Sequence, residues 1–276
     1  MSAITSLAVP NPLRQFFLQD GRHFQLVYLG GFLVYGILSL GWDTHWAAYL
    51  TIFGACLGTQ AIGNAVTGKD WRSFKSAAIT ALGLCLLLKA NMLWAFTLAG
   101  VVAIGSKFLI RFHGKHLFNP ANIGIVAAVA LTQEAWISPG QWGSNVILLF
   151  VLGVLGTVVL LRVGRIDTSL VFLVVFSALQ FGWNVLYKGW PADFFFHQMT
   201  NGALLLFTFF MITDPVTTPN TRKARIVWAT LIAVVAFLLS SEYYVHTAPI
   251  WALVFITPLT VPLDHYLKGK KFSWYQ

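Results

Sequence analysis

Lys107–Gly124 reads KFLIRFHGKHLFNPANIG and lies between two apolar runs, Met92–Ile110 and Ala121–Leu131. The stretch carries Lys107, Arg111 and Lys115 and no carboxylate. It closes on Asn119-Pro120, where proline drives the residue before it out of helical backbone, so one apolar element must stop before this point and another begin after it. A basic loop that joins two apolar runs is the mark of a chain that crosses a bilayer and turns back on the side that retains cations.

The same unit recurs outward in both directions. Apolar runs fall at Phe24–Leu40, Trp46–Val66, Ser76–Leu88, Met92–Ile110, Ala121–Leu131, Gly143–Leu161, Thr168–Tyr187, Met199–Ile212, Ile226–Ser240 and Ala248–Pro262. Alternate connections hold Lys69, Arg72 and Lys75, then Lys107, Arg111 and Lys115, then Arg162 and Arg165, then Arg222, Lys223 and Arg225. With Arg14 and Arg22 before the first run and Lys268, Lys270 and Lys271 after the last, every cation but Lys89 and Lys188 falls on one side. The remaining connections carry Asp43, Glu134, Asp193 and Glu242 instead. An odd number of crossings would destroy this alternation. The expected fold is therefore an all-α polytopic membrane protein of about ten transmembrane helices, with both termini on the cytoplasmic side of a bacterial-type inner membrane.

Composition agrees. Of 276 residues, 57% are hydrophobic and 10% charged, against about 25% charged in a soluble domain. The net charge of +9 is the topological excess just described, so nucleic acid is not expected as a partner; membrane lipid is. The first 23 residues include Asn11, Arg14, Gln15, Asp20 and Arg22, and show no cleavable apolar core. Trp42, Trp46, Trp94, Trp136, Trp142, Trp190 and Trp251 gather at the opposite boundary, where amphipathic rings anchor. Cys56 and Cys85, both inside apolar runs, read as small apolar fillers.

Two of the runs, Ser76–Leu88 and Met199–Ile212, are too short to cross about 30 Å as plain helices at about 1.5 Å per residue. Lys75–Lys89 (KSAAITALGLCLLLK) can be laid on Thr200–Asp214 (TNGALLLFTFFMITD), with small residues first, then apolar ones, then a charge. Short segments at matching places in two halves point to a central site; two tilted helices extended into their loops would read the same way. Met211–Thr221 (MITDPVTTPNT) repeats the boundary proline, now after Asp214. Asn119 and Asp214 are thus left to cap their breaks or to bind something. Asp214 stands at a helix C-terminus, where the dipole disfavours a carboxylate, so it either starts the next turn with Pro215 as first helical residue or faces a cation or ligand.

Lys107–Gly124 with Met211–Pro219 (MITDPVTTP) and Thr257–Tyr266 (TPLTVPLDHY) resembles RnfD, an integral membrane component of the Rnf electron-transport complex. It is similar also to NqrB of the sodium-pumping NADH:quinone reductase, and more so to free-standing relatives labelled enediyne-biosynthesis membrane proteins. The likeness runs from about Gly21 to Tyr266. It implies ten helices in two inverted five-helix repeats, related at fold level to urea and ammonium transporters. The corresponding division is a cytoplasmic segment 1–23, repeats over 24–137 and 138–266, and a tail 267–276. It also implies flavin. The family's phosphoester-linked flavin mononucleotide (FMN) needs a Ser-Gly-Ala-Thr-type motif in an outer loop, and Thr132–Gln141 (TQEAWISPGQ) has none, so covalent FMN is not expected. The resemblance maps the non-covalent site, for riboflavin or FMN, onto Asn119, Asn122 and Asp214, with Thr80 as a further candidate. These types suit an isoalloxazine ring: an amide offers donor and acceptor, and a carboxylate accepts from N3–H or a ribityl hydroxyl.

Other features point to less. His113 and His116 have one-face helical spacing but sit among cations without a cysteine or carboxylate, so a solvated patch that can meet lipid headgroups is expected in place of a metal site. Lys107, close to a segment end, is expected to snorkel outward. No buried acidic relay suggests a stand-alone ion pump. Three functions compete: a flavin-bearing electron conduit working with a redox partner protein, a transporter of a small polar solute between the two halves, and a scaffold without redox chemistry. Gln60, Asn64, Thr80, Asn122, Gln180, Asn184 and Asn201 are polar side chains within the apolar runs that leave the second open.

Overall fold

The computed structural model describes residues 20–42, 45–68, 70–142 and 146–273. Asn11, Arg14, Gln15, Asp43, Lys69 and the Gly143 start of the sixth apolar run lie outside the described residues. The chain is helical nearly throughout. The helices are α1 (Arg22–Ser39), α2 (Trp46–Thr67), α3 (Phe74–Leu87), α4 (Leu93–Leu109), α5 (Pro120–Thr132) and α6 (Val146–Val163). They continue as α7 (Ile166–Phe181, prolonged by a π-helix Gly182–Tyr187), α8 (Ala192–Met199), α9 (Gly202–Leu206, prolonged by a π-helix Phe207–Met211), α10 (Arg222–Ser241), α11 (Ala248–Ile256) and α12 (Thr260–Tyr266). Among the described residues, two helices are long and apolar enough to cross a membrane, Ile166–Tyr187 and Arg222–Ser241. A third span is complete if α8 and Gly202–Met211, bent by 48°, count together.

The two short runs are breaks, not tilted helices. Helix α3 stops at Leu87, and the chain continues extended as β1 (Leu88–Ala90), paired antiparallel with β4 (Ala135–Ile137). In the other run Asn201 caps α9, its side chain accepting from the Ala203 N–H at 2.8 Å, and this cap is where the 48° bend falls.

A second departure concerns the basic loop itself. Arg111–Phe112 and Lys115–His116 form strands β2 and β3 of a tight hairpin. Its two central residues, His113 and Gly114, have φ of 47° and 86°, the left-handed pair that a two-residue hairpin turn requires. His113 and His116 are therefore not one face of a helix: they sit across a turn.

Packing follows small residues. Helix α2 lies against α4 and α4 against α5, while α7 lies against α10 and α10 against α11. Gly124 lets α5 approach α4 closely, since a Cβ there would come within 2.5 Å of the Ala99 carbonyl oxygen. Ala99, Ala103, Ala229, Ala233 and Ala236 are wholly buried in these seams, the small-residue packing of helices that approach in lipid. Leu38, Leu50, Val66, Leu109, Leu131 and Phe150 instead stand exposed. So much exposed apolar surface belongs to a protein that lipid covers. This is a membrane protein.

Hydrogen bonds join most of the cationic loops at one end. Arg22 reaches the Arg72 carbonyl, Lys75 reaches Asp20, Lys115 reaches Asp264, and Arg225 reaches Asp167. At the far end Asn91 bonds Glu134, and Lys89 lies over the Trp42 ring. Trp46, Trp94, Trp136 and Trp190 are exposed there, but Trp42 and Trp142 are not: both are buried, edge to face at 4.9 Å. Their rings fill the core. The indole N–H of Trp42 bonds the Gln141 carbonyl at 2.7 Å.

Candidate functional site

At the basic end the two proline breaks meet. Asn119 caps α5, its Oδ1 accepting from the Asn122 N–H at 3.0 Å, with Pro120 as the first helical residue. Its amide Nδ2 then crosses to the other half, donating to the Met211 carbonyl at 3.2 Å and reaching Asp214 Oδ2 at 3.5 Å. Asp214 begins a turn and not a helix. Its Oδ1 accepts from the Val216 N–H at 3.1 Å, and its carbonyl accepts from the N–H groups of Thr217 and Thr218. One carboxylate oxygen is thus spent on the turn, and the other, Oδ2, faces Asn119 and His116.

That oxygen borders a cleft between α1, α3, the start of α5 and residues 206–216. Thr80, Asn119 and Asp214 all line it, with Gln25 from α1 and Ser76 from α3. Leu29, Ile79, Leu86, Leu87 and Phe210 supply apolar walls. Thr80 is buried and donates to the Ser76 carbonyl at 2.9 Å, which leaves its oxygen lone pairs for a ligand.

Asn122 is placed differently. It is 1% exposed and is not among the cleft's lining residues. Its Nδ2 donates to the Ile250 carbonyl at 3.0 Å, tying α5 to α11, while its buried Oδ1 has no hydrogen-bond partner. The structure brings three of the four sequence-chosen residues to one cleft and keeps the fourth behind it.

Charge arrives from residues that the apolar pattern did not single out. Arg22 lines the cleft, 4% exposed, its guanidinium locked on Asp20 at 2.7 Å. Burial by itself would raise the Asp20 carboxyl, but the hydrogen bonds from Arg22, its charge and Lys75 together hold it at about 2. His116 also lines the cleft, with Nε2 at 3.7 Å from Asp214 Oδ2. At this distance an ion pair is in reach and a hydrogen bond is not; Nε2 is buried and bonds nothing. His116 therefore turns this nitrogen inward from the basic surface, and its signal in the sequence is its place three residues before Asn119. Below the turn, Arg165 donates to Thr218 Oγ1 at 2.9 Å. Burial lowers Arg165 to about 10, with Arg225 pushing the same way against Asp167, Asp214 and Asp264. Burial lowers Lys115 too, opposed by its bond to Asp264.

Lys107 departs from expectation. It is 8% exposed and does not snorkel; Nζ donates to Gln60 Oε1 and to Ser76 Oγ, both at 3.1 Å. Because Ser76 lines the cleft, Lys107 stands one side chain behind its wall. Gln60 in turn donates to Asn64 at 2.8 Å. A second Gln-x-x-x-Asn pair sits at the far end, where Asn184 donates to Gln180 at 2.9 Å and Gln180 to Ser240 at 2.6 Å. It borders a larger opening, and Asn184 lies in the π-helical turn of α7.

The sequence of residues 128–273, more than half of the chain, matches the family described as NQR2, RnfD, RnfE. The chain belongs to the NQR2, RnfD, RnfE family. Its members are membrane subunits of electron-transport complexes. No curated protein matches the chain. The matched NQR2, RnfD, RnfE stretch contains the Asp214 turn and helices α6 to α12; Thr80, Asn119 and Asn122 precede it.

Proposed function

We propose that this chain is a flavin-binding electron-transfer subunit of the membrane, with riboflavin or FMN held non-covalently in the cleft at the basic end. The carrying observation is the meeting of Asn119 and Asp214, from breaks in different halves, 3.5 Å apart on one cleft wall. The donor set fits the group. Asp214 Oδ2 can accept from ring N3–H or a ribityl hydroxyl, Thr80 Oγ1 can accept a further donor, and the Leu29, Ile79 and Phe210 walls suit an apolar ring face. A bound isoalloxazine supplies one- and two-electron chemistry. Asn119, both ends of whose amide are already engaged, positions Asp214 more than it contacts a ligand.

The rest of the reading goes with this one. Ten spans in two inverted repeats, over 24–137 and 138–266, are supported by the paired packing of α2 on α4 and α7 on α10, and by the Gln-x-x-x-Asn pair in each half. The basic end is then cytoplasmic, in the inner membrane, where anionic lipid and a redox partner protein meet it. Covalent FMN is not expected.

The test is an absorption spectrum of gently purified protein, where flavin bands at about 450 nm should be present. Asp214→Ala should weaken flavin binding by about ten- to a hundredfold, the cost of leaving a buried donor unpaired. Asp214→Asn should weaken it less. Wild-type protein without flavin in any preparation would sink the proposal.

One observation favours a second reading, transport of a small polar solute. Buried amide pairs stand at both ends, Gln60 with Asn64 and Gln180 with Asn184, and the far pair borders its own opening. Flavin-free protein that admits a polar solute into liposomes would support it.

A further inference from the structure

The β2–β3 hairpin separates two clefts, and His116 lines both. On one side is the interior cleft with Asp214; on the other is an open cleft at the basic end, bordered by Lys115, Asp264, Lys268 and Lys271. His116 Nε2 is buried, bonds nothing, and lies 3.7 Å from Asp214 Oδ2. A buried ring nitrogen without a partner is costly, and such a group calls for an explanation.

We propose that His116 and Asp214 form a proton-transfer pair, which carries protons from the solution at the basic end into the interior cleft. The proposal rests on the flavin reading, since reduction of a flavin takes up protons. The transfer conserves charge and needs no electrons. The imidazole binds a proton from the open cleft on one nitrogen. Its Nε2–H bond then breaks as an O–H bond forms on Asp214 Oδ2, and the neutral acid hands that proton to an acceptor atom in the interior cleft, returning to the carboxylate that accepts from a ligand's donors. A ring rotation that shortens 3.7 Å to about 2.9 Å gives the hydrogen bond along which the proton moves.

The neighbouring charges leave this pair as the carrier. Lys115 donates to the Thr218 carbonyl, Asn220 Oδ1 and Asp264 Oδ2, which uses all three of its protons. Asp264 also accepts from the Asn220 N–H at 2.7 Å, so it is a strut. Arg165, which acts electrostatically on Asp214 from the α6–α7 turn, and Arg22, which lines the interior cleft, keep their protons. Lys268 and Lys271 border only the open side. Asp214 Oδ2 is the carboxylate oxygen facing the ring, and its other oxygen is held by Val216.

Flavin-loaded protein is mixed rapidly with reduced methyl viologen, an electron donor that gives up no protons, and proton uptake is followed with a pH dye. His116→Gln should keep its flavin absorbance and slow proton uptake at least tenfold. His116→Ala should be slow in the same way and recover with added imidazole, which a merely structural role would not produce. Full flavin content with wild-type uptake in both variants overturns the relay and leaves the flavin reading standing. Wild-type protein without flavin overturns the flavin reading, and the pairing is then judged on flavin-free protein. There the His116 Nε2 signal in ¹⁵N spectra should move on Asp214→Asn; an unmoved signal overturns the pair.

Discussion

Helix α2 and the prolonged α7 each carry a glutamine four residues before an asparagine, both pairs buried, and they orient them oppositely. Gln60 turns its oxygen toward Lys107 and its nitrogen toward Asn64. Gln180 turns its oxygen toward Asn184 and its nitrogen toward Ser240. The reason lies in the third partner. An ammonium group can only donate, so it demands an oxygen, whereas a serine oxygen accepts. The pair on α2 thus holds a fixed cation and the pair on α7 a hydroxyl, by what the neighbouring helix offers. The difference teaches that one amide spacing serves either electrostatic task, according to its third partner.

The largest expected effect comes from removing that cation. Lys107→Met keeps the unbranched stem but leaves Gln60 Oε1 without its donor, and should cost about 2–3 kcal/mol, the range for a lost charge-assisted hydrogen bond. Thermal unfolding in detergent would measure it. If the variant is as stable as wild type, the two pairs do not differ in what they contribute.

A smaller effect follows from the latch that fixes α1 beside the charged pair. The Asp20 carboxyl sits at about 2 against an ordinary 3.8, so its contribution is full above the ordinary value. It is lost as pH falls from 3.8 through about 2. The difference amounts to about 2 kcal/mol. Protection of the amides of His23 to Gln25 from hydrogen exchange, taken relative to the intrinsic rate at each pH, should fall across that window. In Asp20→Asn protection should be low already and flat with pH. A wild-type profile without the acid step would mean that Arg22 alone holds the start of α1.

Smallest is the neutral pair. Ser240→Ala removes one uncharged hydrogen bond from Gln180 and should cost about 1 kcal/mol. A loss equal to that of Lys107→Met would erase the distinction between the pairs.

Much of this was legible beforehand. Each apolar run holds a helix, because hydropathy and prolines mark element boundaries whatever the tertiary contacts are. The meeting of Asn119 and Asp214 was legible too, since cation alternation placed both loops at one end. What the sequence hid was direction. Lys107 at a helix end reads as a snorkelling side chain, and only the packing of α4 against α2 turns it inward to Gln60. Trp42 and Trp142 have the composition of an interfacial belt, yet each is the other's packing partner. Histidines three apart read as a helical pair until the left-handed His113-Gly114 turn folds them across a hairpin. Asn122 has the residue type of a ligand contact, but its amide is drawn to the Ile250 carbonyl, a partner 128 residues away that no local pattern reveals.

The β1–β4 ladder has a consequence for how the chain is made. Leu88–Ala90 leaves α3 extended, and its partner strand is Ala135–Ile137. Between them come α4 and α5, so a ribosome must deliver two further helices before those peptide groups find each other. Until then water at the far boundary, where Lys89 and Glu134 also stand, must satisfy those groups. The ladder closes only once Ile137 has emerged, so the end of α3 is set by a part of the chain made two helices later.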